Sequence, residues 1–232
     1  MNDSVLIVCD SHISIYDYEK QNQLIKLIDS KKDIFGTLVL LGDIFDFYFN
    51  YSNFIPKNYF PLFNVIKNLS ETKKIYIAEG NHDMWLGDFF SKFLNTEVKS
   101  GVFELKAYGK KYLLSHGDEF ESKSIFRKIA DFILSSRISE KMFALLHPEI
   151  GYQIGRIVSS VTSSGKNEKE KILKMKAEIK RIRRYADFDS VIIGHSHQSA
   201  VFEEEKIIFL GDYKGLREYA FIDEKGVRIE HF

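Results

Sequence analysis

The fold is decided by the stretch Leu40-Leu41-Gly42-Asp43-Ile44-Phe45-Asp46. Its apolar run followed by Gly42 and Asp43 predicts a buried strand ending in a turn, with a carboxylate just past the carboxyl end of the strand. Four other short segments repeat this layout, each with an apolar run followed by Asp, Asn or His. We therefore expect Asp43 to be a ligand shared by two metal ions, with the other four segments supplying the remaining ligands.

These five segments hold most of the histidines of the chain. They are Asp10-Ser11-His12, Gly42-Asp43-Ile44-Phe45-Asp46, Gly80-Asn81-His82-Asp83, His116-Gly117-Asp118 and Gly194-His195-Ser196-His197. Five of the seven histidines fall within them, which leaves only His147 and His231 elsewhere. Each segment alone is typical of an ordinary turn, so their joint occurrence at strand ends is what indicates a site. In open α/β sheets, ligands bind beyond the carboxyl ends of the strands.

The types of donor in these segments narrow the choice of metal. Imidazole mixed with carboxylate suits Mn, Fe, Zn or Co, whereas an all-oxygen set is typical of Mg or Ca. Two such ions about 3.5–4 Å apart clamp a phosphoryl group and supply hydroxide at neutral pH. Two cations that close to each other need an anionic bridge, and Asp43 is the candidate for it.

The order of predicted elements indicates two sheets. The first third alternates strands with helical spacing, which favours a parallel sheet. After Val98 the pattern changes to strands with hairpin signals, including a turn at Tyr108-Gly109-Lys110, which favours a second sheet. We expect an α/β (α+β) protein, a β-sandwich flanked by helices. Residues 1–121 and 187–232 form the predicted core, and 122–186 form a predicted helical insertion.

Composition excludes several classes of protein. The chain has 232 residues, of which 44% are hydrophobic, enough for one domain with a sizeable core or for a domain with an inserted subdomain. Three prolines and 14 glycines exclude a disordered chain. The single cysteine, Cys9, forms no disulfide within the chain, fits a reducing compartment and is predicted to pack in the core. With no run of about 20 apolar residues and no signal-peptide pattern, the expected location is the cytoplasm.

A zero net charge conceals one strongly basic stretch. Residues 166–184 contain nine Lys or Arg against three Glu, a local charge of +6 that the rest of the chain balances. One interpretation is a solvated helix face with ion pairs such as Glu170 with Lys174. Another is attraction to anionic lipid or to a phosphate-rich substrate, with nucleic acid as a third option.

Aromatic and apolar side chains follow two of the segments closely. They are Phe45, Phe47, Tyr48 and Phe49 after Asp43, and Trp85, Leu86, Phe89 and Phe90 after Asp83. These residues either belong to the ordinary core or, if some are exposed, line a groove for an acyl chain beneath the helical insertion.

In their order, the five segments resemble the motifs of the calcineurin-like metallophosphoesterase superfamily, which run D-x-H, G-D-x-x-D, G-N-H-D/E, H and G-H-x-H. The resemblance covers the whole chain. It implies the assignments that follow. One metal is bound by Asp10, His12, Asp43 and His197, and the other by Asp43, Asn81, His116 and His195. His82 contacts the phosphate and protonates the leaving group, so that His82, Asn81 and Asp43 are the implied catalytic residues. Asp46 and Asp83 orient the ligands.

Within the superfamily, the chain looks most like the UDP-2,3-diacylglucosamine pyrophosphohydrolases of lipid A biosynthesis. The length, the insertion between His116 and the final His-x-His, and the stretches 146–151 and 210–213 carry this resemblance. It implies cleavage at the α-phosphorus to UMP and 2,3-diacylglucosamine 1-phosphate, with two divalent ions, Mn²⁺ first and Fe or Zn as the alternatives. It also implies an insertion that caps the site and peripheral association with the inner face of the cytoplasmic membrane. The best-studied branch of the family has Arg where this chain has His82.

The same resemblance suggests a set of contacts to a UDP-linked acylated sugar. They are Asn81, His82, Ser164, Lys166, Asn167, Lys169 and His195. Two other functions are weighed against the lipid substrate. One is a phosphoesterase acting on a nucleotide or another phosphomonoester or phosphodiester, and the other is a non-catalytic scaffold of the same fold. The complete set of ligand types argues against the scaffold, and no nucleic-acid partner is expected.

Overall fold

A computed structural model describes residues 2–121, 137–162, 168–182 and 187–232. Eleven strands lie in these ranges: β1 (Val5–Val8), β2 (Thr37–Leu41), β3 (Lys74–Ala78), β4 (Glu97–Lys99), β5 (Phe103–Ala107), β6 (Lys110–Ser115), β7 (Ser190–Ile193), β8 (Ala200–Phe202), β9 (Ile207–Phe209), β10 (Glu218–Asp223) and β11 (Gly226–His231). The described helices are α1 (Tyr18–Lys31), α2 (Phe60–Leu69), α3 (Phe89–Phe93), α4 (Arg137–Ala144), α5 (Pro148–Thr162) and α6 (Glu168–Ile179).

The first sheet has six strands in the order β11-β10-β1-β2-β3-β4. Strands β1 to β4 are parallel, and β10 and β11 are antiparallel additions at one edge. Every residue of β1 and β2 is buried, as expected of apolar strands covered on both faces. The alternation of strands and helices in the first third of the sequence thus predicted this parallel sheet correctly.

The second sheet has five strands in the order β5-β6-β7-β9-β8. Strands β6, β7 and β9 are parallel, while β5 joins β6 as an antiparallel hairpin. Tyr108 and Gly109 turn the hairpin with φ values of 50° and 73°, the double left-handed conformation that matches the twist of paired strands. The predicted hairpin is confirmed.

The two sheets face each other across an apolar core, and helices cover their outer faces. Ile7 and Val39 of the first sheet pack in one cluster with Leu114 and Ile192 of the second. On the outer face of the first sheet, α1, α2 and α3 bury side chains in a second cluster that also contains Leu6 and Leu38 of the sheet. The outer face of the second sheet packs against α6. The predicted β-sandwich flanked by helices is therefore the observed fold.

Helix α6 lies within the range predicted as the insertion but packs as part of the core. Its Ile172, Met175 and Ile179 are buried together with Val191 and Ile193 of β7. Helices α4 and α5 also lie in that range, and α5 begins at Pro148, as the fixed φ of proline favours. The predicted helical residues 122–136, 163–167 and 183–186 lie outside the described part of the chain. The division into core and insertion stays a prediction.

Within the described part of the chain, the aromatic residues that follow Asp43 and Asp83 pack into or against the core. Phe45, Tyr48, Phe49 and Phe90 are fully or almost fully buried. Phe47 and Trp85 are half-buried, because Phe143 of α4 covers both rings at 5.3 and 5.5 Å between centroids. They form the ordinary core, which was the simpler of the two interpretations.

Cys9 is fully buried at the end of β1, as predicted. Burial raises the pKa of its thiol well above the usual value, and the neighbouring Asp10 acts in the same direction. None of the helices in the described ranges is long and apolar enough to cross a membrane.

Candidate metal centre

All five sequence segments meet at one edge of the sandwich. Asp10, Asp43 and Asn81 follow β1, β2 and β3, which are parallel, so the carboxyl ends of these strands lie side by side. His116 and His195 follow β6 and β7, the parallel pair in the second sheet. The two sheets bring these ends together, and Nε2 of His116 lies 3.4 Å from Oδ2 of Asp43.

The backbone at this edge is held in an unusual conformation. Among the described residues, the non-glycine positions with positive φ include Asp10, His12, Asp43, His195 and His197, with values from 44° to 62°. Such residues cost about 1–3 kcal/mol each and persist only where the surroundings hold them. Hydrogen bonds between the loops do so here: the amides of Asp10 and His12 donate to Gly42 and Asp43 carbonyls at 3.1 and 2.9 Å.

The side chains form three overlapping groups whose potential ligand atoms lie within 4.8 Å of one another. They are Asp10 with His12 and His197, Asp43 with His116 and His195, and Asp43 with His12 and His82. Asp43 is the common member of two groups, and its Oδ2 lies 3.9 Å from His12 Nε2 and 3.4 Å from His116 Nε2. Asp43 therefore connects the group of His116 and His195 to His12, and the division of these residues between two metals stays a prediction.

Several buried ligand-type atoms at this edge have no hydrogen-bond partner within the described residues. They are Oδ1 of Asp10, Nε2 of His12, Oδ1 of Asn81, Nε2 of His116 and Nδ1 of His195. An unpaired buried polar atom costs about 1–3 kcal/mol, so native proteins rarely tolerate several in one place. Bound cations satisfy such atoms, and the imidazole, carboxylate and amide donors fit a divalent transition metal. These residues therefore fit a pair of divalent metals.

The protonation of the site suits metal binding. Burial lowers the pKa of both His12 and His195 to about 3, so both rings are neutral at physiological pH and have a free lone pair. Burial also acts to raise the pKa of Asp43, but the imidazoles of His116, His82 and His12 outweigh it and hold that pKa well below its usual value. Asp43 is therefore charged, as a bridge between two cations requires.

Asp83 ties the Asp43 loop to the Asn81 loop. Its carboxylate accepts hydrogen bonds from four backbone N–H groups: Asp43 at 3.1 Å, Ile44 at 2.8 Å, Phe45 at 3.3 Å and Gly80 at 2.8 Å. Burial raises the pKa of Asp83 to about 7, with the charge of Asp43 acting in the same direction and the N–H groups of Gly80 and Phe45 opposing both. The predicted orienting role agrees with these contacts, although Asp83 acts on the backbone of the loops.

Two glycines are required where the loops approach each other. A Cβ on Gly42 would lie 2.6 Å from the ring of His116, and φ at this residue is +82°. A Cβ on Gly80 would lie 2.3 Å from Oδ1 of Asp43. These contacts explain why glycine precedes Asp43 and Asn81 in the two segments.

His82 and Asp46 lie at the rim of the group. Nδ1 of His82 lies 3.1 Å from the carbonyl oxygen of Asp46, which only accepts, so Nδ1 bears a proton. Nε2 of His82 points toward Asp43, 3.8 Å from Oδ2. The carboxylate of Asp46 lies 3.7 Å from Nδ1 of His12. Asp46 therefore contacts both histidines, and the orienting role that the resemblance implies for it stays a prediction.

Among the described residues, three that contact the candidate ligands were not identified from the sequence. Glu121 Oε2 lies 3.1 Å from His195 Nε2, and Asp212 Oδ2 lies 3.5 Å from His197 Nδ1. Lys171 of α6 donates to the carbonyl of His195 at 2.6 Å. Only Asp212 had a recognisable signal, since Gly211-Asp212 follows an apolar strand in the same way as Gly42-Asp43.

The structure describes only some of the residues that are predicted to contact the substrate. Asn81, His82 and His195 lie at the centre described above. Ser164, Lys166 and Asn167 lie outside the described residues. Lys169 is exposed on α6, and no contact connects it with the ligand group. Its role stays a prediction.

Most cations in the described part of the basic stretch are paired with glutamates. Lys174 contacts Glu170 at 2.6 Å and Arg181 contacts Glu178 at 2.6 Å. Glu205 forms ion pairs with both Lys176 and Lys180, at 2.7 and 3.6 Å. The described part of the basic stretch therefore agrees with the interpretation as a helix face carrying ion pairs.

Comparisons with known proteins place the chain in a family. The profile of the calcineurin-like phosphoesterases matches residues 4–199. A UDP-2,3-diacylglucosamine hydrolase of Porphyromonas gingivalis is 26% identical over 80% of this chain and 79% of its own length. A protein of the same name from Haemophilus influenzae is 24% identical over 94% of both chains. The solved structure of Yfce, a phosphoesterase from E. coli, covers 98% of this chain and 92% of its own, with a TM-score of 0.49 and 11% identity. From the extent of the profile match, the chain belongs to the calcineurin-like phosphoesterase family and is a metal-dependent phosphohydrolase.

Proposed function

We propose that the protein hydrolyses UDP-2,3-diacylglucosamine to UMP and 2,3-diacylglucosamine 1-phosphate, a step of lipid A biosynthesis. The observation that carries the proposal is the pair of Asp/His groups that share Asp43. They are found in a chain that matches curated hydrolases of this substrate over 80–97% of its length. In the reaction, water adds to the α-phosphorus and the bond from that phosphorus to the bridging oxygen breaks. The bridging oxygen leaves with the sugar phosphate.

The proposed ligands are divided between two metals. Asp10, His12, Asp43 and His197 hold one, and Asp43, Asn81, His116 and His195 hold the other. When bound, two divalent ions neutralise phosphoryl charge and lower the pKa of water. We propose Mn²⁺ as the native metal, because the donor set mixes imidazole with carboxylate and amide oxygen. Elemental analysis of protein purified without added metal tests this choice against Fe and Zn.

His82 is the proposed proton donor to the leaving oxygen. Because the Asp46 carbonyl occupies Nδ1, the proton available for transfer is the one on Nε2 of the imidazolium form. Nε2 lies on the side of the ring nearest Asp43, so a phosphate between the two metal groups would meet it. Asn81 and His195 are proposed to contact the same phosphate.

The membrane is proposed as the place where the enzyme meets its substrate, at the inner face of the cytoplasmic membrane. This is supported by apolar side chains that are exposed to water on α4, on α5, between these two helices and in the loop between β2 and α2. They are Phe54, Met142, Leu145, Ile150, Ile154 and Ile157. Ile150, Ile154 and Ile157 recur along one face of α5, and Phe54 and Ile55 line a cavity of 250 Å³ with Pro148 and Tyr152. Exposed apolar patches of this kind mark membrane or ligand contacts. We propose that α4 and α5, within the predicted insertion 122–186, contribute to the cap and that α6 supports it.

The proposal is tested by incubating the purified protein and Mn²⁺ with UDP-2,3-diacylglucosamine in H₂¹⁸O and following UMP release. We expect turnover, with the ¹⁸O label in UMP because water attacks the α-phosphorus. Label in the sugar phosphate would contradict the proposed site of attack. An absence of UMP, together with hydrolysis of a chromogenic phosphodiester, would overturn the lipid substrate and leave a phosphoesterase of other specificity.

A second candidate function is hydrolysis of a nucleotide or a simpler phosphoester. His82 favours it, because the best-studied lipid branch of the family has Arg at this position. The same assay with a panel of nucleotides in place of the lipid decides between the two. The higher kcat/KM identifies the substrate class.

A further inference from the structure

Two carboxylates outside the five segments contact the paired histidines of Gly194-His195-Ser196-His197. Glu121 follows the short 3-10 turn Asp118–Phe120 and reaches Nε2 of His195 at 3.1 Å. Asp212 follows β9 and reaches Nδ1 of His197 at 3.5 Å. The two carboxylates therefore contact opposite nitrogens of two rings that are only two residues apart.

Because the two carboxylates contact different nitrogens, the two histidines have different nitrogens left to bind a metal. Because Nε2 of His195 faces a carboxylate, which only accepts, Nε2 bears the proton and Nδ1 keeps its lone pair. That Nδ1 is buried and has no hydrogen-bond partner among the described residues. In His197 it is Nδ1 that faces a carboxylate, and Nε2 is directed toward Oδ1 of Asp10, 4.0 Å away. His195 thus offers Nδ1 to the Asp43 group, and His197 offers Nε2 to the Asp10 group.

Asp212 is itself held firmly enough to position a ring. Its Oδ1 accepts from the amides of Gly215 and Leu216 at 3.2 and 3.0 Å, which leaves Oδ2 for His197. The next two amides of its loop, those of Tyr213 and Lys214, donate to the carbonyls of Cys9 and Asp10. The loop that carries Asp212 is therefore fixed to the loop that carries Asp10, a member of the same ligand group as His197.

We propose that Glu121 and Asp212 are positioning residues, each of which selects the ring nitrogen that one histidine presents to one of two metals. The proposal rests on the proposed metal ligands. Glu121 acts on the metal of the Asp43–His116–His195 group, and Asp212 acts on the metal of the Asp10–His12–His197 group. Carboxylates that orient a ligating imidazole typically contribute about 10- to 100-fold to metal affinity.

The first test measures Mn²⁺ binding to chelator-treated protein by titration calorimetry. Glu121→Gln and Asp212→Asn are each expected to weaken one of two sites by about 10- to 100-fold and to leave the other within about twofold. Glu170→Gln and Asp88→Asn each replace an exposed carboxylate by an amide. They are the matched controls and are expected to leave the affinity of both sites unchanged. If the Mn²⁺ affinities of both sites are unchanged in Glu121→Gln and in Asp212→Asn, the proposal is overturned. Wild-type protein that binds no Mn²⁺ would instead overturn the proposed function.

The second test asks whether each carboxylate acts through its own histidine. Glu121→Gln should have no further effect on Mn²⁺ binding in a His195→Ala background and its full effect in a His197→Ala background, with the reverse pattern for Asp212→Asn. In the Zn²⁺-loaded protein, ¹⁵N NMR of labelled histidines should report coordination of His195 through Nδ1 and of His197 through Nε2. Coordination of both rings through the same nitrogen would contradict the assignment. So would an effect of Glu121→Gln that persists without His195.

Discussion

Two regions of the molecule depart from ordinary protein architecture in opposite ways. One is the strand edge that carries the candidate metal centre, and the other is formed by the helices α4 and α5. At the strand edge, polar ligand atoms are buried without partners and the backbone adopts costly positive φ values. On α4, α5 and the adjoining loop, large apolar side chains remain in water, with Leu145 88% exposed. Bound cations satisfy buried unpaired polar atoms, and exposed apolar patches are typical of surfaces that contact an apolar partner. The proposed function therefore assigns the two regions to the two ends of one amphipathic substrate.

The largest effect on activity and metal binding is expected at Asp43, in the strand edge. Asp43→Ala removes the shared carboxylate, so we expect kcat to fall by at least about 10³-fold and most bound Mn²⁺ to be lost. The measurement is elemental analysis together with UMP release. Asp29→Ala, which removes an exposed carboxylate of α1, is the control and should leave both unchanged. Retention of two metals by Asp43→Ala would mean that Asp43 is not the bridge.

Asp83 tests whether the strand edge also limits stability. Asp83→Ala leaves four backbone N–H groups without their acceptor, three of them in the Asp43 loop. We expect the free energy of unfolding to fall by about 3 kcal/mol, measured in urea on metal-free protein. A fall of less than about 0.5 kcal/mol would indicate that the loops hold their conformation without this carboxylate.

A change at His82 tests whether the reaction can be slowed at the strand edge while both metals stay bound. Since the proposed role of His82 is proton donation, His82→Ala should keep both metals and lose about 10²-fold in kcat. A leaving group that needs no proton, such as p-nitrophenolate, should recover most of the lost rate. An equal loss with both leaving groups would assign His82 a different role.

Changes on α4 and α5 should affect the lipid end alone. A triple variant with Leu145, Ile150 and Ile157 replaced by Ser is expected to raise KM for UDP-2,3-diacylglucosamine about tenfold, because it removes exposed apolar area. Hydrolysis of a water-soluble chromogenic phosphodiester should be unchanged. Val201→Ser, at an exposed apolar position on β8, is the control. An unchanged KM for the lipid would separate this surface from substrate binding.

The smallest effect is expected on the charged face of α6. Lys174→Ala breaks an exposed pair with Glu170, so the midpoint of urea unfolding should stay that of the wild type within the error of the measurement. Binding to vesicles that contain anionic lipid should also change little, because the cation is already paired. A large loss of vesicle binding would restore the interpretation of this stretch as a lipid-binding surface.

Sequence reasoning predicted the strand edge well because its signal is local. A strand, a glycine and a carboxylate are contiguous, and parallel strands bring such triplets to one edge. It did not find Glu121 or assign a role to Asp212, because their histidine partners are 74 and 15 residues away along the chain. The basic stretch was interpreted from its charges. The spacing of Ile172, Met175 and Ile179 is that of a buried helix face, and it predicts the packing that α6 shows. The positive φ values at Asp10, His12 and Asp43 have only a weak sequence signal, since Asp and His are enriched in this conformation but more often adopt ordinary ones.

The central claim is that two metals lie on either side of Asp43. The most direct test is an anomalous difference map, recorded at the Mn absorption edge from crystals of the Mn²⁺-loaded protein. We predict two peaks about 3.5–4 Å apart, both within bonding distance of the Asp43 carboxylate. One peak should adjoin Asp10 and His197, and the other His116 and His195. A single peak, or a pair of which one does not contact Asp43, would contradict the account.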